Sequence, residues 1–206
     1  KPKPLTGRTA IITGSAGGIG KAIAKKFVQE GAVVLLNDND AERLLSASKE
    51  FQQQFGRDLF GSELLDVTDR ETIRKAFQKI SLDFGGVDIV VNCAGLSISK
   101  PLEEHTEEDW DLLYDVLVKG QFLITRKAVE IMRRQNLGGD ILNIVSKNAL
   151  GSGPNNAGYG SAKAAQLHLS RLNAAELGKD HIRVNMINPD AVISESKIWA
   201  GDWAEG

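Results

Sequence analysis

From Arg8 onward the chain alternates short apolar runs with longer amphipathic stretches. The apolar runs are Thr9–Thr13, Ala32–Asn37, Leu59–Leu65, Val87–Asn92, Asp140–Val145 and Ile182–Ile187. Each is rich in Val, Ile and Leu and bounded by Gly, Asp or Asn, the pattern of strands buried on both faces. Between them the apolar positions recur at helical spacing, predicting helices over Ile19–Glu30, Ala41–Phe55, Arg70–Phe84, Glu107–Gln135 and Gly158–Leu177. Asp40 and Asp69 stand at helix N-cap positions, and Gly31 and Gly178 just past helix ends. Such alternation predicts right-handed crossovers and an α/β fold: a doubly wound parallel sheet between two helical layers, a three-layer αβα arrangement. Lys1 to Gly7 (KPKPLTG) lacks periodicity and reads as a linker or leader, with residues 8–206 as one domain.

Composition narrows the classes of function. With 206 residues and 42% hydrophobic content, the chain is long and apolar enough for a real core. Lys+Arg number 25 and Asp+Glu 27, for a net charge of −2, which gives no electrostatic case for a nucleic acid or anionic membrane partner. No apolar run approaches the roughly 20 residues that span a bilayer. The single cysteine, Cys93, cannot form an internal disulfide, so a reducing cytoplasm is the expected location. His105, His168 and His181 lack the i, i+4 pairing of zinc hydrolases. The acidic group Glu103, Glu104, Glu107, Glu108 and Asp109 reads as a solvated helix start, so no metal is expected.

The glycines carry more information. Thr13–Gly20 reads TGSAGGIG, between the first strand and the first helix. Gly14, Gly18 and Gly20 permit a tight turn and close approach of a pyrophosphate, with Ser15 and Ile19 in the same loop, and the helix start offers free N–H groups. No GKS or GKT follows, which argues against a triphosphate loop. Asp38 ends the second strand, about 20 residues on, where a carboxylate can accept from ribose hydroxyls and repel a 2′-phosphate. This predicts a Rossmann-type sheet with NAD, rather than NADP, as cofactor. At the same strand edge, Asp66 and Val67 are placed to meet the adenine, with an ordinary helix-cap role as the alternative for Asp66. Asn92, Ala94 and Gly95 end the fourth strand with small residues that leave room for the cofactor, and Cys93 reads as a small buried residue.

Tyr159 and Lys163, in YGSAK, lie four residues apart and share a helix face. Ser146 lies 13 residues earlier, just after the fifth strand. These groups suit carbonyl/alcohol interconversion. A phenol is a poor base at neutral pH, with a pKa of about 10, and a neighbouring ammonium is expected to lower it. A serine hydroxyl orients and polarises the substrate oxygen. Lys147 and Asn148 follow in the loop expected to line the substrate site, with a solvated loop lysine as the alternative for Lys147.

Together TGSAGGIG, Asp38, LLDVTD, VNCAG, Ser146, YGSAK and IRVNMINP resemble the short-chain dehydrogenase/reductase family from about Gly7 to Pro189. The resemblance implies a catalytic Ser146–Tyr159–Lys163 group, with Tyr159, Lys163 and Pro189 also at the nicotinamide end. It implies a homodimer or homotetramer associated through the long helices. Two departures stand out. Leu117 occupies a position that is usually Asn, where the family holds a water linking the lysine to solvent. Asp190 replaces the usual Gly after Pro189, which puts a carboxylate beside the expected nicotinamide pocket, where it is also a candidate substrate residue. A narrower resemblance, carried by DVLVKGQFL, SKNAL, AAQLHLSR and VNMINPDAV…SKIW, is to the dehydrogenase domain of bifunctional rhamnulose-1-phosphate aldolase/alcohol dehydrogenases. It implies a lactaldehyde-like substrate and an aldolase domain ahead of Lys1. A sugar-alcohol phosphate dehydrogenase of the sorbitol-6-phosphate type and a non-catalytic NAD-binding regulatory domain are the competing expectations. Against the family pattern, a seventh strand and the substrate lid are expected beyond Gly206.

Overall fold

The computed structural model describes residues 2–192. Six strands, β1 (Thr9–Ile12), β2 (Val33–Asp38), β3 (Phe60–Leu64), β4 (Ile89–Asn92), β5 (Gly139–Ile144) and β6 (Ile182–Ile187), form one sheet in the order β3-β2-β1-β4-β5-β6. Every neighbouring pair is parallel. The helices are α1 (Gly18–Gln29), α2 (Ala41–Phe55), α3 (Arg70–Phe84), α4 (Glu107–Tyr114), α5 (Gly120–Gln135) and α6 (Ala157–Leu177).

Alternation along each strand builds two cores. Ile11, Leu35, Val90 and Ile141 pack on one face with Phe77 and Ile80 of α3 and with Ile124 and Ala128 of α5. Their neighbours Ala10, Ile12, Leu36 and Val91 pack on the other with Ala24 and Val28 of α1 and with Leu44 and Phe51 of α2. Apolar strand runs are thus covered from both sides, as the sequence pattern requires. The strand order reverses between β1 and β4, which opens a crevice at the carboxyl edge of the sheet.

Two expectations are corrected. The stretch Glu107–Gln135 is not one regular helix, because Asp115–Lys119 forms a π-helical turn between α4 and α5. The segment before Arg8 is docked rather than free: Leu5 packs against the second core and its N–H donates to Glu30 O at 3.0 Å. Gly178 stands just past the end of α6, as its position in sequence suggests, with φ −57° and a 3₁₀ turn that continues to Asp180. The left-handed residue is His181, with φ +56°. The other punctuation agrees with its sequence reading. Asp40 accepts from Arg43 N, Asp69 accepts from Glu71 N, and Gly31 has φ +93°. Thr106 and Asp109 form a reciprocal capping box at the start of α4, where Glu107 and Glu108 lie in the first turn. The SKIW motif and the segment around it lie outside the described residues.

Candidate active site

The loop between β1 and α1 owes its shape to glycine at two positions. Gly14 has φ +65°, and a Cβ there would lie 2.9 Å from Ala94 Cα. A Cβ on Gly20 would fall 2.2 Å from Gly14 O. Bare backbone is therefore needed where the helix N-terminus faces the crevice, the surface a diphosphate requires. The loop borders a cleft of about 410 Å³. Of the predicted cofactor residues, Gly14, Gly18, Ile19, Gly20, Asp38, Asp66, Val67, Ala94, Gly95 and Pro189 line this cleft, as do Tyr159, Lys163, Ser146 and Asp190.

Ser15, Asn92, Lys147 and Asn148 do not line it. Ser15 is fully buried, and its hydroxyl accepts from Asn37 N at 2.8 Å, so it ties the loop to β2. The Asn92 amide turns inward and donates to Asn143 Oδ1 at 2.8 Å and Thr125 Oγ1 at 3.2 Å. Lys147 pairs with Asp190, both side chains being largely exposed. Asn148 N donates to Ser146 Oγ at 3.2 Å, so this residue contributes backbone to the site.

Asp38 is 8% exposed. Its two oxygens accept from Ala16 N at 3.3 Å and Asp40 N at 3.2 Å, which aims the carboxylate along the cleft floor. Asp66 Oδ1 accepts from Thr68 N at 2.8 Å and from Thr68 Oγ1 at 2.7 Å, so the local turn role holds even though the residue lines the cleft.

At the other end, Ser146, Tyr159 and Lys163 converge. All three are buried. Lys163 Nζ donates to Ile144 O at 3.2 Å and lies 5.6 Å from the centre of the Tyr159 ring. Their electrostatics correct the sequence expectation. Burial raises the Tyr159 phenol above its ordinary value, and a hydrogen bond with Ser146 offsets this only in part. Burial also pushes the Lys163 ammonium down to about 8. The cation lies beside the ring rather than at the phenolic oxygen, and desolvation penalises both charged forms. Cys93 also lines the cleft, and burial pushes its thiol up to about 11, so it is no nucleophile.

Two residues with roles here escaped the sequence reading. Thr13 Oγ1 accepts from Cys93 N and Ala94 N, each at 3.0 Å, and so clamps the end of β1 to the end of β4. The other is Arg43, a turn into α2, whose guanidinium crosses to the loop. A Cβ on Gly17 would lie 2.1 Å from its Nη2. The length of an arginine side chain, not its position in sequence, was the available signal.

Comparison with known proteins agrees with this geometry. Residues 8–203 match the short chain dehydrogenase family. An uncharacterized oxidoreductase, YuxG, of Bacillus subtilis is 41% identical over 198 residues; the match covers 96% of this chain and 29% of that longer protein. The 3-oxoacyl-[acyl-carrier-protein] reductase FabG of Thermotoga maritima is 36% identical, covering 90% of this chain and 74% of the reductase. The crystal structure of L-sorbose reductase from Gluconobacter frateurii, complexed with NADPH and L-sorbose, superposes with a TM-score of 0.88 at 33% identity, covering 95% of this chain and 73% of that one. Among the described residues no helix is long and apolar enough to cross a membrane. The chain belongs to the short-chain dehydrogenase family, with a Rossmann-type nucleotide-binding sheet and a cleft built for oxidoreductase chemistry.

Proposed function

We propose that this chain is an NAD-dependent alcohol dehydrogenase or carbonyl reductase acting on a small, uncharged, lactaldehyde-like substrate. The observation that carries the reading is the convergence of Ser146, Tyr159 and Lys163 in the same cleft as the glycine cradle. A bound dinucleotide supplies hydride acceptance or donation there. In the oxidation direction, Tyr159 takes the proton of the substrate hydroxyl and Ser146 orients the oxygen by hydrogen bonding. Because burial raises the phenol, Lys163 has to carry its charge for Tyr159 to act near neutral pH.

Asp38 supports NAD, since its buried carboxylate would face a 2′-phosphate. Arg43 opposes that field, and one structural relative binds NADPH. Asp190 supports an uncharged substrate: its carboxylate borders the cleft and occupies Lys147, the nearest candidate for binding a phosphate. A sugar-alcohol phosphate is disfavoured on the same ground. A purely regulatory dinucleotide-binding role is disfavoured by the intact trio.

Exposed Leu112 on α4, Phe122 on α5 and Leu172 on α6 support association through these helices as a homodimer or homotetramer, whose mass light scattering reads. A fused aldolase domain rests on the narrower sequence resemblance, and the full reading frame tests it. The function is tested by NADH formation across a panel of small alcohols and polyol phosphates. Turnover of an uncharged vicinal diol supports the reading, whereas dinucleotide binding without turnover of any substrate removes it.

A further inference from the structure

The pairing of β5 with β6 runs past the ends of both strands. Ile144 stands opposite Ile187. Beyond them Val145 N donates to Ile187 O at 2.8 Å, and Lys147 N donates to Pro189 O at 2.9 Å. The same register sets Ser146 opposite Pro189 and Lys147 opposite Asp190. The ion pair between Lys147 and Asp190 is its last rung. Neighbouring strands lie about 4.8 Å apart, so the Asp190 backbone is fixed one strand over from Ser146 and one residue further along.

The Asp190 carboxylate is engaged through one oxygen. Oδ1 takes the Lys147 ammonium and accepts from Ala191 N at 2.8 Å. Oδ2 has no protein donor among the described residues, and Asp190 lines the cleft together with Ser146 and Tyr159. The hydrogen bond from Lys147 also holds the carboxyl below its ordinary value, so the open oxygen stays an acceptor. The lining residues nearest to Ser146 and Asp190 in the chain, Val145 and Val192, are apolar. The other carboxylates that line the cleft, Asp38 and Asp66, stand at the ends of β2 and β3, four and five strands from β6. That is roughly 19 Å or more at the usual strand spacing. Among the described residues Asp190 is therefore the carboxylate of the cleft that belongs to the Ser146 end.

We propose that Asp190 determines specificity: its open Oδ2 accepts a hydrogen bond from a second hydroxyl of the substrate, on the carbon beside the one that reacts at Tyr159. This rests on the dehydrogenase reading above and adds to it the group that reads the rest of the molecule. Ser146 and Tyr159 hold the reacting oxygen. The neighbouring carbon then carries its hydroxyl across the short step from the end of β5 to the end of β6. An ionised carboxylate accepts and cannot donate, so it rewards a hydroxyl there and repels a carboxylate or phosphate. A simple monoalcohol leaves Oδ2 to water and gains nothing from it. Asp190 touches no reacting atom, so its effect falls on the choice among substrates. Lys147 takes part by holding the carboxylate through Oδ1, not by meeting the substrate.

The test compares propane-1,2-diol with propan-1-ol and propan-2-ol, each of which lacks one of its hydroxyls. NADH formation is read for wild-type, Asp190→Ala, Asp190→Gly and Lys147→Gln proteins, with circular dichroism melting checking that each is folded. Wild-type kcat/KM is expected to favour the diol over the better monoalcohol by about tenfold, the scale of one charge-assisted hydrogen bond at an exposed group. Both Asp190 variants are expected to bring that ratio below about threefold. Lys147→Gln removes the cation and keeps the acceptor, so the ratio is expected to stay at about tenfold. A second readout needs no turnover: calorimetric titration of the NADH-loaded protein with each alcohol, a dead-end complex, should show the same preference and its loss in Asp190→Ala. A wild-type ratio near one overturns the proposal. So does a folded Asp190 variant that keeps the ratio, or an equal loss in Lys147→Gln, which would assign the effect to the ion pair. Turnover of neither the diol nor the monoalcohols with NAD⁺ or NADP⁺ removes the dehydrogenase reading and this inference with it, and is distinguished by the absence of any reduced cofactor.

Discussion

The substitution Thr13→Val isolates the clamp beneath the cofactor cradle. Valine keeps the branch at Cβ and nearly the same volume, so packing in this 1% exposed site is preserved and only the hydroxyl is lost. Two backbone donors, Cys93 N and Ala94 N, then lose the oxygen that each meets at 3.0 Å. An orphaned buried donor costs about 1–3 kcal/mol. Two neighbouring ones that relax together should cost about 3 kcal/mol in all. In a chain of this size that lowers Tm by about 6–12 °C. The same two residues abut Gly14, whose Cβ position is 2.9 Å from Ala94 Cα. Movement of this segment should therefore weaken dinucleotide binding by about tenfold, or about 1.4 kcal/mol. Urea unfolding should show a lower midpoint with an unchanged slope, and titration with NAD⁺ should show the weaker affinity. Thr13→Ser restores the acceptor and should recover most of both effects. A loss of stability below about 0.5 kcal/mol, or a serine variant no better than valine, would refute the clamp.

Three further outcomes are expected. Tyr159→Phe should cut turnover by about 10²–10⁴-fold while leaving dinucleotide affinity within about threefold, because it removes the proton carrier and little contact area; stopped-flow NADH formation and calorimetry read the two effects separately. Asp38→Ala should relax discrimination between NAD and NADP, and adding Arg43→Ala should weaken NADP more than NAD; an unchanged ratio of kcat/KM values counts against the roles given to both residues. Lys163→Met should stabilise the cofactor-free fold by up to about 3 kcal/mol at pH 7. The ammonium is lowered from 10.5 to about 8 on folding, so its burial penalty is full below pH 8 and is relieved as pH rises towards 10.5. The stabilisation, read by urea unfolding, should accordingly shrink at pH 9.5.

All six strands and the faces of the helices were legible, because an apolar run covered on both sides leaves a pattern that needs no tertiary information. The cleft was legible for a related reason: its residues sit at strand ends and in one glycine loop, where position along the chain predicts position in space. The π-turn was not. DVLVK carries no Gly or Pro to mark it, and its extra residue per turn is held by a side chain, that of Gln166, 49 residues away in sequence. The inward turn of Ser15 and Asn92 was hidden likewise, since a small polar residue at a strand end is equally suited to ligand or core until its partners are known. The electrostatics of Tyr159 and Lys163 were misread because spacing reports proximity, whereas the sign of a pKa shift depends on burial and on which atom the charge faces.

That misreading bears on how the cleft works. In the free protein one cause, desolvation, raises the phenol and lowers the ammonium, so each group is biased towards its neutral form. A neutral phenol beside a partly discharged lysine is a weak acid/base pair. The same exclusion of water strengthens any hydrogen bond or charge that a ligand brings into the cleft. A polar group entering there meets an ammonium whose unfilled hydrogen bonds have few other acceptors, and its gain is larger for that reason. The energetic cost of burying Lys163 is thus the condition that makes its charge respond to what binds. A lysine in open solvent would be cheaper to fold around, and its charge would be the same with or without a ligand.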